Sequence, residues 1–157
     1  IVDADGLKLL TKVEGWCNYL PHPAILTPHP GEMSILTSMP IKEVQADRIN
    51  VARKYSIKWG HVVVLKGAFT VIAAPDGRTT TIPFATSALA HAGTGDVLAG
   101  MIAGFRSQGM EAYEAAIAGS WIHARAGLIA AEYQGNTSTV LAGDVLECIA
   151  DAINELG

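Results

Sequence analysis

Ala92-Gly93-Thr94-Gly95-Asp96-Val97-Leu98-Ala99-Gly100 is a glycine-rich turn that runs into an apolar helix with one carboxylate at the junction. Glycines at 93 and 95 let the backbone take positive φ and approach a ligand closely. The first N–H groups of the helix that follows have no partner within it, and with the positive end of the helix dipole they suit a phosphate. Asp is also a preferred N-cap, so the turn alone reads either as an anion site beside a base or as a capped helix start.

Upstream of this turn the chain alternates in the manner of an α/β protein. Ile1-Val2 reads as a strand end, Asp5 to Val13 as a short helix, and Ala24 to Thr27 as a strand stopped by Pro28. A helix is expected near Pro30, and another across Ile41 to Trp59, where Ile41, Val44, Ile49, Ala52 and Tyr55 fall at roughly helical spacing and Gly60 closes the run. Val62-Val63-Val64-Leu65 is a continuous apolar stretch of the kind found in a strand covered on both faces. After a reversal at Lys66-Gly67, Phe69 to Ala73 and Thr79 to Ile82 read as a strand pair joined by Pro75-Asp76-Gly77. Downstream of the turn, Val97 to Gln108, Glu111 to Gln134 and Gly143 to Leu156 read as helices. Their small residues, Gly100, Gly104, Ala115, Ala116, Ala118, Gly119 and Ala124 among them, suit close packing.

Two further segments carry chemistry. Thr27-Pro28-His29-Pro30-Gly31-Glu32 sets a His between prolines at the carboxyl end of a predicted strand, where open α/β sheets gather ligands. A stiff backbone loses little freedom on binding. The same residues also describe an ordinary strand-to-helix connection with Pro and an acid in the first turn. Lys66 follows four apolar residues and precedes Gly67, so it either offsets phosphate charge at the same rim or carries its ammonium out to solvent.

At 157 residues the chain has the length of one domain. Half its residues are hydrophobic and 17% are charged, which excludes a disordered chain. With a net charge of -4 and no Lys/Arg run, nucleic acid is not expected as a partner. No apolar stretch is long enough to span a bilayer, so no membrane association is expected. Cys17 and Cys148 stand far apart without metal spacing, so a reducing, cytoplasmic setting is expected. The chain opens on Ile1-Val2-Asp3-Ala4-Asp5, like the last residues of a buried strand, and is expected to be the C-terminal part of a longer protein. A homo-oligomer is expected, the glycine- and alanine-rich helices offering surfaces for close contact.

Asp3-Ala4-Asp5-x-Leu7, Thr27 to Glu32, Val64-Leu65-Lys66-Gly67-x-x-Thr70 followed by Asp76-Gly77, and Ala92 to Gly100 together resemble the ADP-dependent NAD(P)H-hydrate dehydratases of the ribokinase-like superfamily. The Pro-His-Pro-Gly-Glu segment is the discriminating one, because the glycine turn is widespread in that superfamily. The resemblance implies a ribokinase-like three-layer α/β/α fold, truncated at the N-terminus. Residues 1–157 would be the C-terminal portion of one such domain. It implies dehydration of hydrated NADH or NADPH driven by ADP or ATP, with Mg²⁺ on the phosphates: the C6 hydroxyl is phosphorylated, and phosphate is then eliminated.

By position the resemblance makes Asp96 the catalytic base and a substrate contact, and His29 a second substrate contact. It assigns Lys66, Gly67, Ala68, Phe69, Thr70, Gly93, Thr94 and Gly95 to the nucleotide. Asp3, Asp5 and Glu32 are candidates for water or metal contacts, with no metal ligand assigned, and His123 is given a structural role. The chain departs from the family at Thr86-Ser87, where a Gly-Asn pair is usual, and it lacks the half-domain that precedes the Asp-Ala-Asp segment. A small-molecule kinase of the superfamily and a non-catalytic nucleotide-binding fragment are the competing readings.

Overall fold

Val62–Leu65 (β2) places Val62 and Val64 on one face of a sheet and Val63 and Leu65 on the other, and all four are buried. Both faces of this strand are covered, which is why the run is apolar throughout. In the computed structural model, which describes residues 1–21 and 23–157, β1 (Ile25–Leu26) pairs parallel to β2. β3 (Val71–Ala73) and β4 (Thr79–Thr81) follow antiparallel, giving the order β1-β2-β3-β4. The strand end expected at the N-terminus is a stub beside β1: the Val2 N–H donates to the Ile25 carbonyl at 2.9 Å, and the Thr27 N–H donates to the Val2 carbonyl at 3.1 Å.

Helices lie on both faces. On one, α1 (Ala4–Leu10), α2 (Pro30–Thr37), α3 (Ile41–Ala46) and α4 (Arg48–Trp59) bury Leu7, Met33, Val44, Val51 and Tyr55 against Leu26, Val63 and Leu65. On the other, α5 (Thr94–Ser107) and α6 (Ala112–Gln134) bury Leu98, Ile102, Ala115 and Ala116 against Ile25, Val62, Val64 and Ile72. The result is the expected three-layer α/β/α arrangement. α7 (Ala142–Glu147) and α8 (Ile149–Asn154) pack on α6 through Val145, Cys148 and Ala152. Both cysteines are free. Among the described residues, no helix is long and apolar enough to cross a membrane.

Only some of the small residues permit the α5–α6 approach. A Cβ on Gly119 would lie 2.7 Å from Ile102 Cγ1 of α5, whereas Gly100 and Gly104 have nothing within 4 Å; Gly127 instead makes room for the short turn Ser87–Leu89, where a Cβ would lie 2.6 Å from Leu89 Cδ2.

Three elements differ from the sequence expectation. The helix expected over Ile41 to Trp59 breaks at Asp47, which leaves helical geometry with φ -145° and caps the next helix, its carboxylate accepting from the Asn50 N–H at 3.4 Å and from Asn50 Nδ2 at 2.8 Å. Asp side chains compete for backbone donors in this way. The helix expected over Gly143 to Leu156 is interrupted at Cys148, where the bend keeps Val145, Cys148 and Ala152 against α6. Phe69 stands outside the strand it was expected to begin; its φ is +54° and its side chain is exposed. The turn closed by Thr70 consumes that residue before β3 starts at Val71.

Candidate functional site

The carboxyl end of β2, the β1–α2 connection and the start of α5 open onto one cavity of about 530 Å³. Its lining includes Asp3, His29, Glu32, Lys66, Gly67, Ala68, Thr70, Gly93, Thr94, Gly95 and Asp96. These come from four separate stretches of sequence that only the sheet brings together. Phe69 and Asp5 are not in the lining: Phe69 is turned out by its positive φ, and Asp5 pairs with Lys8 at 2.9 Å on the surface.

The glycine turn is built to leave donors free. Gly93 is the N-cap of α5 with φ +88° and makes no side-chain cap. The Thr94 N–H reaches the His91 carbonyl at 3.4 Å, and the Asp96 and Val97 N–H groups donate to the Gly93 carbonyl at 3.1 and 3.2 Å. The N–H groups of Gly93 and Gly95 have no acceptor among the described residues. These are the unpaired donors that make a helix start an anion site. Asp96 stands in the first turn, exposed on the cavity wall, with no hydrogen bond to its carboxylate among the described residues. It is not the cap of this helix.

Buried contacts hold the turn in place. The Thr94 hydroxyl lies 2.8 Å from the Leu89 carbonyl and 2.9 Å from that of His91. From α6, His123 Nε2 lies 2.8 Å from the Thr94 carbonyl. A carbonyl can only accept, so Nε2 carries the proton and Nδ1 is bare. Burial pushes His123 down to about 4, the Thr94 carbonyl pulling the other way and the positive charge of Lys66 adding to the drop. The ring is therefore neutral near pH 7. Its contribution was expected to be structural, and its contact with the turn could not be read from an Ala-rich helix.

Lys66 does not run out to solvent. Its ammonium pairs with Asp3 Oδ1 at 2.6 Å and lies 4.0 Å from Glu32 Oε2, both carboxylates being largely buried. Gly95 accommodates this pair: a Cβ there would sit 3.4 Å from both Lys66 Nζ and Asp3 Oδ2. The loop beyond Lys66 is held from beneath by Arg48, whose guanidinium donates to the Leu65 carbonyl at 2.8 Å and the Ala68 carbonyl at 2.9 Å. Thr70 closes the loop by donating to the Gly67 carbonyl at 3.0 Å. Arg48 carries no sequence signal beyond a basic residue inside an expected helix, and the expectation missed it.

His29 has two jobs. Its Nδ1 accepts from the Gly31 N–H at 3.0 Å and the Glu32 N–H at 3.2 Å, while the Glu32 carboxylate accepts from the His29 N–H at 2.8 Å, a reciprocal cap on α2. With Nδ1 committed as an acceptor, Nε2 carries the proton at the half-exposed rim of the cavity, 3.4 Å from Glu32 Oε1. Thr86 lines the cavity and caps a short turn through the Ala88 N–H at 3.2 Å, whereas Ser87 pairs with Thr137 at 2.8 Å.

Residues 1–151 match a family model described as NAD(P)H-hydrate dehydratase. A bifunctional NAD(P)H-hydrate repair enzyme of Moorella thermoacetica is 40% identical over 156 residues, covering 99% of this chain and 29% of that protein. The crystal structure of the ADP/ATP-dependent NAD(P)H-hydrate dehydratase of Bacillus subtilis, co-crystallised with ATP and Mg²⁺, superposes with a TM-score of 0.79 at 34% identity, covering 86% of this chain and 48% of that one. A ribokinase-like superfamily protein of Enterococcus faecalis superposes with a TM-score of 0.77 at 24% identity, covering 98% and 51%, and shows the fold. The chain thus spans between less than a third and about half of the length of these proteins.

Proposed function

The chain belongs to the NAD(P)H-hydrate dehydratase family, and from that premise we propose that its cavity serves the nucleotide-driven dehydration of hydrated NADH or NADPH, ADP or ATP being the phosphoryl donor. The observation that carries this reading is the pairing, at one helix start, of free Gly93 and Gly95 N–H groups with an unengaged Asp96 carboxylate. Asp96 takes the proton of the C6 hydroxyl as general base. The oxygen then attacks the terminal phosphoryl group of the nucleotide, and the bond to the remaining nucleotide breaks. The C6–O bond then breaks as phosphate leaves, and C5 gives up a proton to water, which restores the C5=C6 double bond of the dihydronicotinamide ring.

The two free N–H groups and the helix dipole stabilise charge on the group in transfer. Lys66, held by Asp3 and close to Glu32, presents its ammonium donors at the cavity wall. His29 offers its Nε2–H to the hydrated dinucleotide, and Gly67, Ala68 and Thr70 form the wall along which the nucleotide lies. No group of three or more His, Cys, Asp or Glu side chains that could hold a metal exists among the described residues. Mg²⁺ would therefore enter on the phosphate oxygens of the nucleotide, with few protein ligands, and would neutralise part of their charge there.

The test compares the full chain with Asp96→Asn, both given hydrated NADH and ADP, and follows the return of NADH absorbance. Loss of a general base predicts a drop of roughly 10²–10⁴-fold with ADP binding retained. Equal rates would remove Asp96 from that role, and accumulation of a phosphorylated substrate without NADH would make the protein a kinase.

A further inference from the structure

The inner end of the cavity is an apolar recess walled by Ile82, Phe84, Leu89, Leu98 and Ala124. It adjoins the 66–70 loop, because the Phe69 N–H donates to the Phe84 carbonyl and the Ile82 N–H to the Thr70 carbonyl, each at 2.9 Å. Two polar side chains interrupt it, Ser120 and His123, three residues apart and so on one face of α6. They are 3% and 7% exposed. The Ser120 hydroxyl has no hydrogen-bond partner among the described residues. His123 uses Nε2 on Thr94, and its bare Nδ1 has no partner among the described residues.

An unsatisfied buried hydroxyl destabilises the fold; beside a cavity, that cost is recovered when a ligand supplies the missing partner. Mid-helix Ser commonly bonds back to a carbonyl one turn earlier, and Ser120 does not. We propose that Ser120 and His123 read the hydrogen-bonding edge of a purine, an amino group donating to His123 Nδ1 and a ring nitrogen accepting from the Ser120 hydroxyl. The apolar walls suit the two faces of a flat base, whereas a ribose would bring further hydroxyls into them without partners. A serine hydroxyl re-aims by one χ1 rotation between staggered positions, so an arriving base can capture it. The inference rests on the nucleotide reading given above.

The experiment titrates the full chain and its Ser120→Ala variant with ADP, inosine diphosphate and 2′-deoxy-ADP by calorimetry, and measures the thermal midpoint of each protein without ligand. In the unmodified chain, inosine diphosphate is expected to bind more weakly than ADP, because its carbonyl would meet the His123 lone pair. Ser120→Ala is expected to weaken ADP by roughly five- to tenfold, the range of one neutral hydrogen bond, and to narrow the preference for ADP. Its ligand-free midpoint is expected to be equal or higher, since an orphan hydroxyl has gone. An ADP affinity unchanged by the substitution would overturn the inference, as would a loss that disappears with 2′-deoxy-ADP, which would mean that the hydroxyl reads the sugar. Failure of the unmodified chain to bind any nucleotide would instead overturn the proposed function.

Discussion

His123 is neutral because it is buried, and this makes the seating of the glycine turn dependent on pH. The gap between its ordinary 6.5 and about 4 in the fold corresponds, at about 1.4 kcal/mol per pH unit, to about 3 kcal/mol. The sign follows from proton binding. Above pH 6.5 both folded and unfolded chains carry a neutral ring and the contribution is complete. Between 6.5 and 4 the unfolded chain takes a proton that the fold refuses, so stability falls as pH falls. Below 4 both are protonated and the loss stops growing. Urea denaturation of the full chain at intervals from pH 7 to pH 4 reads this out, with His123→Gln as the reference. Gln places an amide nitrogen near the position of Nε2, able to donate to Thr94, and does not titrate. Carboxylates contribute to both curves alike, so the curve of the unmodified chain should drop below that of the variant by about 2–3 kcal/mol over this window. Curves that stay parallel within about 0.5 kcal/mol would refute the linkage, since that is the usual scatter of independent measurements.

Replacing Arg48 with Met keeps the apolar stem and deletes both donations to the 65–68 backbone; a loss of about 2–3 kcal/mol in urea is expected, together with weaker ADP binding, and an unchanged ADP affinity would show that the loop keeps its shape without the guanidinium. Gly119→Ala sets a Cβ 2.7 Å from Ile102 Cγ1 and 3.3 Å from the Ile102 nitrogen, so overpacking of about 1–3 kcal/mol should outweigh a helix-propensity gain of about 1 kcal/mol. Gly104→Ala meets nothing within 4 Å and should gain up to about 1 kcal/mol. Equal stabilities for these two glycine variants would mean that α5 and α6 are not held together by close backbone approach.

The layer order was legible because its signals are local. Val62 to Leu65 announces a strand buried on both sides by composition alone, and Gly60 marks the end of α4 by adopting a left-handed C-cap with φ +73°. The break at Asp47 was hidden because Ile41, Val44, Ile49 and Ala52 keep a helical rhythm across it. A single Asp that prefers to cap Asn50 overrides that rhythm, and periodicity does not register a competition for one N–H. Phe69 misled in a related way: an aromatic residue beside β-branched ones argues for a strand, but the turn set by Gly67 and Thr70 had already fixed its backbone.

At the site the division runs between residues whose roles are contained within a few positions and residues whose partners lie far along the chain. Gly93 to Asp96 signal free backbone donors beside a carboxylate in four consecutive letters, because those donors belong to the turn itself. What the sequence left open was whether Asp96 caps the helix, and the geometry decides it: the cap position falls on Gly93, which frees the carboxylate. For His29 the two sequence readings are not alternatives, since capping consumes Nδ1 and thereby fixes the proton on Nε2, which stays at the half-exposed cavity rim beside Glu32. Arg48, Ser120 and His123 could not be found this way. Arg48 acts on a loop 17 to 20 residues away, and His123 acts on a carbonyl 29 residues away. Ser120 is informative only through the partner it lacks. Such residues become visible when each buried donor and acceptor is asked where its hydrogen bond goes, a question that only the folded chain answers.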